Sequence, residues 1–264
     1  MRYAHHLAAW WNWYRKQDKP VTVEQILADA KSAGYGGVET PGNPEVWGAA
    51  KQFRRRLEDA DLRLATITIA VTANPHPPNT EEYRRALDWA AELGLNTIAV
   101  CGGFLGRNFR ATFNSDYELF ASNLRQAQEY ADQYGQVLAY HPHCACMVET
   151  AEELERLLAY FPELCICVDT GHLIAVGSDP VALIRRYPEK IKHVHLKDWS
   201  PEEGQFTEIG QGTAGQDFPG IFQALDDASY DGWIVVERDN PAMPPAESAR
   251  ISLENLLRME GVKA

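Results

Sequence analysis

The sequence predicts a single α/β domain over residues 1–264, folded as a (β/α)8 TIM barrel. Three observations carry this reading. Short β-like runs alternate with amphipathic helical runs eight times along the chain, and such alternation implies parallel pairing. Eight units in 264 residues match a closed barrel of ~250 residues. Finally, the turn after the first strand carries Trp10, Trp11 and Trp13. An open doubly wound sheet would place a Gly-rich dinucleotide fingerprint there.

The elements follow in order. A first β run covers Tyr3 to Ala8. A helix begins after the N-cap candidate Thr22, has Glu24 and Gln25 in its first turn and Ile26, Leu27 and Ala30 on its apolar face, and stops at Gly34. Gly36-Gly37-Val38-Glu39 reads as a second strand, Val46 to Ala60 as a helix and Leu62 to Val71 as a third strand rich in β-branched residues. A helix from Thr80 to Gly94 leads to a fourth strand, Asn96 to Cys101. The segment Gly102 to Ser115 is long for a βα loop, which suits a lid or an interface. A helix from Asp116 to Tyr134 precedes the fifth strand, Val137 to His141. Thr150 to Tyr160 is helical and Leu164 to Asp169 is the sixth strand. Pro180 to Tyr187, Phe218 to Ala228 and Ala246 to Met259 are helices, interleaved with strands Ile191 to Leu196 and Trp233 to Glu237.

In a barrel the active site lies where the strands end. Strand two ends in Glu39, strand five in Tyr140-His141-Pro142-His143 with Glu149 further on, and strand six in Asp169-Thr170-Gly171-His172. Strand seven carries His193 and His195 and runs into Lys197-Asp198, and strand eight ends in Glu237-Arg238-Asp239. Four successive strands thus bring imidazole and carboxylate to one rim, a donor set that suits one borderline divalent ion such as Mn²⁺, Co²⁺, Zn²⁺ or Fe²⁺. His193 and His195 share a face, and the later residue lies nearer the mouth, which favours His195 as the ligand. His5, His6 and His76, taken singly, read as hydrogen-bonded structural histidines. Cys144 and Cys146 flank the site, but hard and borderline donors dominate it. The glycines of Glu208-Ile209-Gly210-Gln211-Gly212-Thr213-Ala214-Gly215 read as a tight loop rather than a phosphate cradle. Trp11 is a candidate pocket wall, since sugar faces pack on aromatic rings.

Bulk properties bound the function. The net charge of −12 argues against nucleic-acid binding, which needs clustered Lys and Arg. The runs Arg54-Arg55-Arg56 and Arg185-Arg186 fall in helical segments and read as solvated faces. No apolar run reaches the ~18 residues a membrane span needs, and no signal peptide stands out, so the cytoplasm is the expected compartment. The five cysteines form no disulfide framework. Cys165 and Cys167 read as two buried residues on one strand face.

These motifs together resemble the xylose-isomerase-like sugar phosphate isomerase/epimerase superfamily. The carrying segments are GYGGVET at 34–40, LAYHPHCACMVET at 138–150, CVDTGHL at 167–173, HVHLKDW at 193–199, EIGQGTAGQDF at 208–218 and WIVVERD at 233–239. YHPH and DTGHL make the chain most similar to inosose dehydratase-like members. The resemblance implies a metal held by Asp169, His195 and Glu237 together with a fourth group. Relatives mostly have glutamate where this chain has His141, which leaves His141, Glu149 or water for that position. His143, His172, Lys197, Trp11 and Glu39 are the expected substrate contacts. The resemblance further implies proton abstraction beside a carbonyl of a keto-sugar or cyclic polyol ketone, through a metal-stabilised enediolate, with Glu237, His141, Glu149 and His143 as acid/base groups. Two-glutamate epimerases place carboxylates on both substrate faces, so His141 shifts the expectation toward a lyase. The rivals are isomerisation or epimerisation, a 3-keto-glycoside lyase, abasic-site DNA repair and a non-catalytic sugar-binding subunit. Homo-oligomers are common among relatives.

Overall fold

β-branched and aliphatic residues alternate with small or polar ones along most of the predicted strands, and this alternation sorts the barrel into an inside and an outside. The computed structural model describes residues 1–73, 78–103 and 113–261. The strands are β1 (Arg2–His6), β2 (Gly37–Pro41), β3 (Arg63–Val71), β4 (Thr97–Gly102), β5 (Val137–Tyr140), β6 (Cys165–Asp169), β7 (Ile191–Leu196), β8 (Asp198–Ser200), β9 (Gln205–Thr207) and β10 (Trp233–Val236). A closed barrel runs in the order β1, β10, β7, β6, β5, β4, β3, β2. Every pairing within it is parallel. The short β8 and β9 form a separate antiparallel ribbon.

The outward residues pack under the helices: Ile98 and Val100, Leu138 and Tyr140, Ile166 and Val168, Val194 and Leu196, Ile234 and Val236 all belong to one large core cluster. The inward residues are smaller. Ala99, Ala139 and Cys167 make a second cluster, with Cys165 packed against it. The Cys165 and Cys167 pair is therefore on one face, as its spacing predicts. Such small side chains leave the barrel axis room for a polar layer. The helices are amphipathic and capped by their own sequence: Thr22 accepts from the Gln25 amide at 3.1 Å, and Thr150 and Glu153 form a reciprocal capping box.

Four differences from the sequence expectations have local causes. The tryptophan-rich turn after β1 is itself a helix, Ala8–Lys16. The expected helix from Val46 to Ala60 is broken into Pro44–Trp47 and Ala50–Asp59 by Gly48 at φ +95°, a conformation that favours glycine. A short helix, Thr170–Ala175, follows β6 directly, capped by the Asp169 side chain. The fifth and eighth barrel strands stop one residue before His141 and Glu237. His76 and residues 104–112 of the long segment lie outside the described residues. Among the described residues, no helix is long and apolar enough to cross a membrane.

Candidate metal centre and active site

The parallel register carries four donors to the same height. Asp169 ends β6 opposite His195 of β7, and His195 faces Val235 of β10. His141 and Glu237 each extend their strand's ladder by one amide, to Val100 O at 2.7 Å and Leu196 O at 3.2 Å. One donor atom from each of His141, Asp169, His195 and Glu237 lies within 4.8 Å of the other three. His195 Nδ1 stands 2.9 Å from Glu237 Oε2 and 3.8 Å from Asp169 Oδ2, and His141 Nε2 stands 3.1 Å from Asp169 Oδ2.

These approaches are not aligned hydrogen bonds. Asp169 Oδ2, His195 Nδ1, Glu237 Oε2 and both ring nitrogens of His141 are buried with no hydrogen-bond partner. A native interior rarely leaves so many polar atoms unsatisfied in one place. Ligands about 2.0–2.2 Å from a shared ion are spaced roughly 3–4 Å apart, which is the spacing found. The residues therefore fit a divalent cation. Two overlapping triads fit less well. Cys167 lies near His141 and His195, but burial holds its thiol pKa high, and the thiol form is a poor ligand. Glu39, His193 and His195 also cluster, but Glu39's oxygens are already hydrogen-bonded.

Electrostatics hold three of the four in the protonation state that a metal ligand needs. Burial would raise the pKa of Asp169 and Glu237, but the Lys197 ammonium together with the neighbouring histidines outweighs it and holds both carboxylates ionised. His141 is lowered to about 4 by burial, against the pull of Asp169, so its ring is neutral at pH 7. Burial opposes charge on His195 as well, yet the flanking Cys167, Glu39 and Glu237 raise its pKa overall.

The substrate-contact candidates divide into two sets. Lys197 is fully buried and donates to His172 Nε2 at 2.8 Å and Asp239 Oδ2 at 3.2 Å, with Glu237 Oε2 also at 3.2 Å. The His172 ring is tilted against that of His143, with centroids 3.8 Å apart, and His143 is 5.4 Å from His141. His143 Nδ1 contacts the Cys144 carbonyl at 2.6 Å. These three residues border the donor group. The others do not. Glu149 accepts from the Ala145 amide and is absent from the metal-ligand groups found among the described residues; it braces its own loop. Trp11 packs against Trp47, with ring centroids 6.4 Å apart. Glu39, expected at the substrate, is 0% exposed and engaged with His193, His195 and Thr68 inside the barrel. It stands one layer below the rim because strand two delivers it toward the barrel axis.

Three residues were given no role at the site by the sequence reading. His6 turns inward, with Nδ1 3.8 Å from Glu237 Oε1 and Nε2 3.4 Å from Thr68 Oγ1. Its five-residue strand is too short for parity to have marked it in the sequence. Asp239 lies two residues beyond Glu237 on the same rim and pairs with Lys197. Asp198 accepts from the Gly210 and Gly212 amides at 2.8 and 2.9 Å, so the glycine-rich loop is spent on a carboxylate of its own chain.

The family pattern described as xylose isomerase-like TIM barrel matches residues 27–259. The chain belongs to that family. Its sequence is 28% identical over 263 residues to an inosose dehydratase of Clostridium beijerinckii, covering 85% of each chain. Among solved structures it is similar to the 3-keto-D-glucoside 4-epimerase YcjR of E. coli (TM-score 0.77, 18% identity, 98% of this chain and 99% of that one). The IOLI protein, solved with a binding zinc atom, gives a TM-score of 0.74 at 14% identity, covering 98% of this chain and 97% of that one. A fusion of a xylose isomerase-like TIM barrel with 4-hydroxyphenylpyruvate dioxygenase gives 0.75 at 21% identity, and this chain, wholly covered, spans 44% of it. At these identities the structural likeness is one of fold.

Proposed function

We propose that this protein is a divalent-metal-dependent lyase that removes water from a small keto-polyol, of the inosose or keto-sugar class. The observation that carries the reading is the set of unpartnered, buried donor atoms on His141, Asp169, His195 and Glu237. The name of the Clostridium beijerinckii relative supports the dehydratase reading, and the zinc in the IOLI structure supports the metal. These four residues would hold the ion, and its chemistry there would be Lewis-acid polarisation of a carbonyl.

The protein's own groups supply the rest. Glu237, a carboxylate with a second oxygen besides the one that would hold the ion, is the candidate base for the carbon-bound proton, which leaves as the C–H electron pair becomes a C=C bond. The β-carbon–oxygen bond breaks, and the departing hydroxyl takes a proton and leaves as water. His143 is the candidate donor of that proton: it is partly exposed, so its proton can be replenished from solvent. Lys197 keeps Glu237 and Asp169 ionised and holds His172 in place. The second reading is an epimerase or isomerase, in which the proton returns to carbon. His141 disfavours it, because it stands where a two-faced proton exchange would want a second carboxylate.

Incubating the metal-loaded protein with inososes and ketoses, followed by mass spectrometry, tests the assignment. A product lighter by one water is expected, with turnover falling at least ~100-fold in Glu237→Gln. A product that has lost no water and has exchanged a carbon-bound hydrogen for deuterium in D2O would establish the second reading instead. Full turnover in both Glu237→Gln and His141→Ala would overturn the roles given to these two residues.

A further inference from the structure

Glu39 is a buried carboxylate that touches neither solvent nor the four unpartnered donor atoms. Its side chain is 0% exposed. Oε2 accepts from His193 Nε2 at 2.7 Å, and Oε1 accepts from His195 Nε2 at 2.9 Å and from the Thr68 hydroxyl. Burying one carboxylate is costly unless its lone pairs are satisfied, and here three donors from two strands satisfy it. Both of its oxygens are taken by these donors, which closes a role in substrate binding to it. A purely structural role leaves unexplained why one of its donors is His195, the histidine whose other nitrogen faces the proposed metal position.

We propose that Glu39 is a positioning residue for the metal centre, acting through His195. An imidazole has two nitrogens, and the one that gives up its proton is set by what the other one bonds. Glu39 accepts at Nε2 and so holds the proton there. The Nδ1 lone pair is then directed toward Asp169 Oδ2 and Glu237 Oε2, at 3.8 and 2.9 Å. The carboxylate also makes the ring a stronger donor. His193 and Thr68 keep Glu39 from rotating: one grips the far oxygen, and the other shares the near oxygen with His195. The chain thus spends a strand-two glutamate and the first histidine of the His193-Val194-His195 pair on orienting a single ligand. This deepens the proposed metal-dependent function and rests on it.

The test measures Zn²⁺ and Mn²⁺ affinity by calorimetry on chelator-stripped protein, together with the tautomer of His195 from two-bond ¹H–¹⁵N spectra of the same metal-free form at a pH where the ring is neutral. Glu39→Gln is expected to bind about 10–100-fold more weakly and to lose the uniform Nε2–H form of His195. A role confined to holding the fold would leave the tautomer unchanged. Wild-type affinity and an unchanged tautomer in a folded Glu39→Gln would overturn the inference while leaving the metal reading intact. Failure of the wild type to bind either ion would overturn both. Should Glu39→Gln not fold, Thr68→Val decides: it removes one anchor at nearly constant volume. A loss of about 3-fold or more supports the inference, and wild-type affinity overturns it.

Discussion

His5 and His6 are neighbours on β1, yet they face opposite sides of the barrel wall. His5 points outward, edge-on to Trp10 and Tyr35 at 4.7 and 5.1 Å, with Nδ1 against the His6 carbonyl at 3.0 Å. His6 points inward to Thr68 and Glu237. The sequence alone does not distinguish the two, because a short run with few inward markers leaves its parity open. The same parity is legible on β7, where the two histidines are separated by one residue, and there it selects His195. Burial lowers the His5 pKa to about 4 from the usual 6.5. A histidine lowered in this way stays neutral in the folded protein while the unfolded chain takes up a proton below about pH 6.5. Its contribution to stability is therefore present above that pH and lost as the pH falls toward 4. Between pH 7 and pH 5 the loss amounts to about 2 kcal/mol. His5→Gln should shrink by that amount the stability difference between the two pH values in urea unfolding. An unchanged difference would mean that His5 is charged in the folded state.

At the scale of elements, strands and long helices are legible because their periodicities differ, and the short connections are not. The ribbon of β8 and β9 has three residues per strand, too few for alternation to register. It matters because β8 begins at Asp198, directly after Lys197, and its carboxylate fastens the loop at Gly210 and Gly212 over the rim. Gln216 continues the clasp, donating to Thr170 Oγ1 at 3.0 Å and Lys197 O at 2.9 Å. The glycine at 212 is a matter of close approach: a Cβ there would sit 2.1 Å from Asp198 Oδ1 and 2.6 Å from Trp199 O. Gly212→Ala must displace the carboxylate or the loop. It is expected to cost about 1–3 kcal/mol in denaturant unfolding and to lower turnover with the fold retained. Stability within about 0.5 kcal/mol of wild type would show that the loop yields without strain.

On the whole-molecule scale, the barrel concentrates charge it cannot satisfy alone. Fold class follows from eight alternating units, and three of the four clustered donors follow from strand ends. The fourth cannot be read from the sequence, because whether His141 or Glu149 reaches the centre depends on the path of the 142–149 loop. Asp169 shows how the fold and the site share one side chain. Oδ1 caps the following helix by accepting from the His172 amide at 2.8 Å, while Oδ2 is buried without a partner among the other donors. Asparagine can keep the cap with its carbonyl oxygen but brings no charge to the centre. Asp169→Asn therefore separates the two jobs, which alanine would not. With Zn²⁺ or Mn²⁺ at 100 times the dissociation constant, the wild type should gain about 2.7 kcal/mol, read as a rise in Tm. The asparagine variant should lose most of that gain, and without metal it should be less stable than the stripped wild type, since it takes a carboxylate partner from the buried Lys197. A metal-dependent rise in Tm that survives in Asp169→Asn would place the ion elsewhere in the molecule.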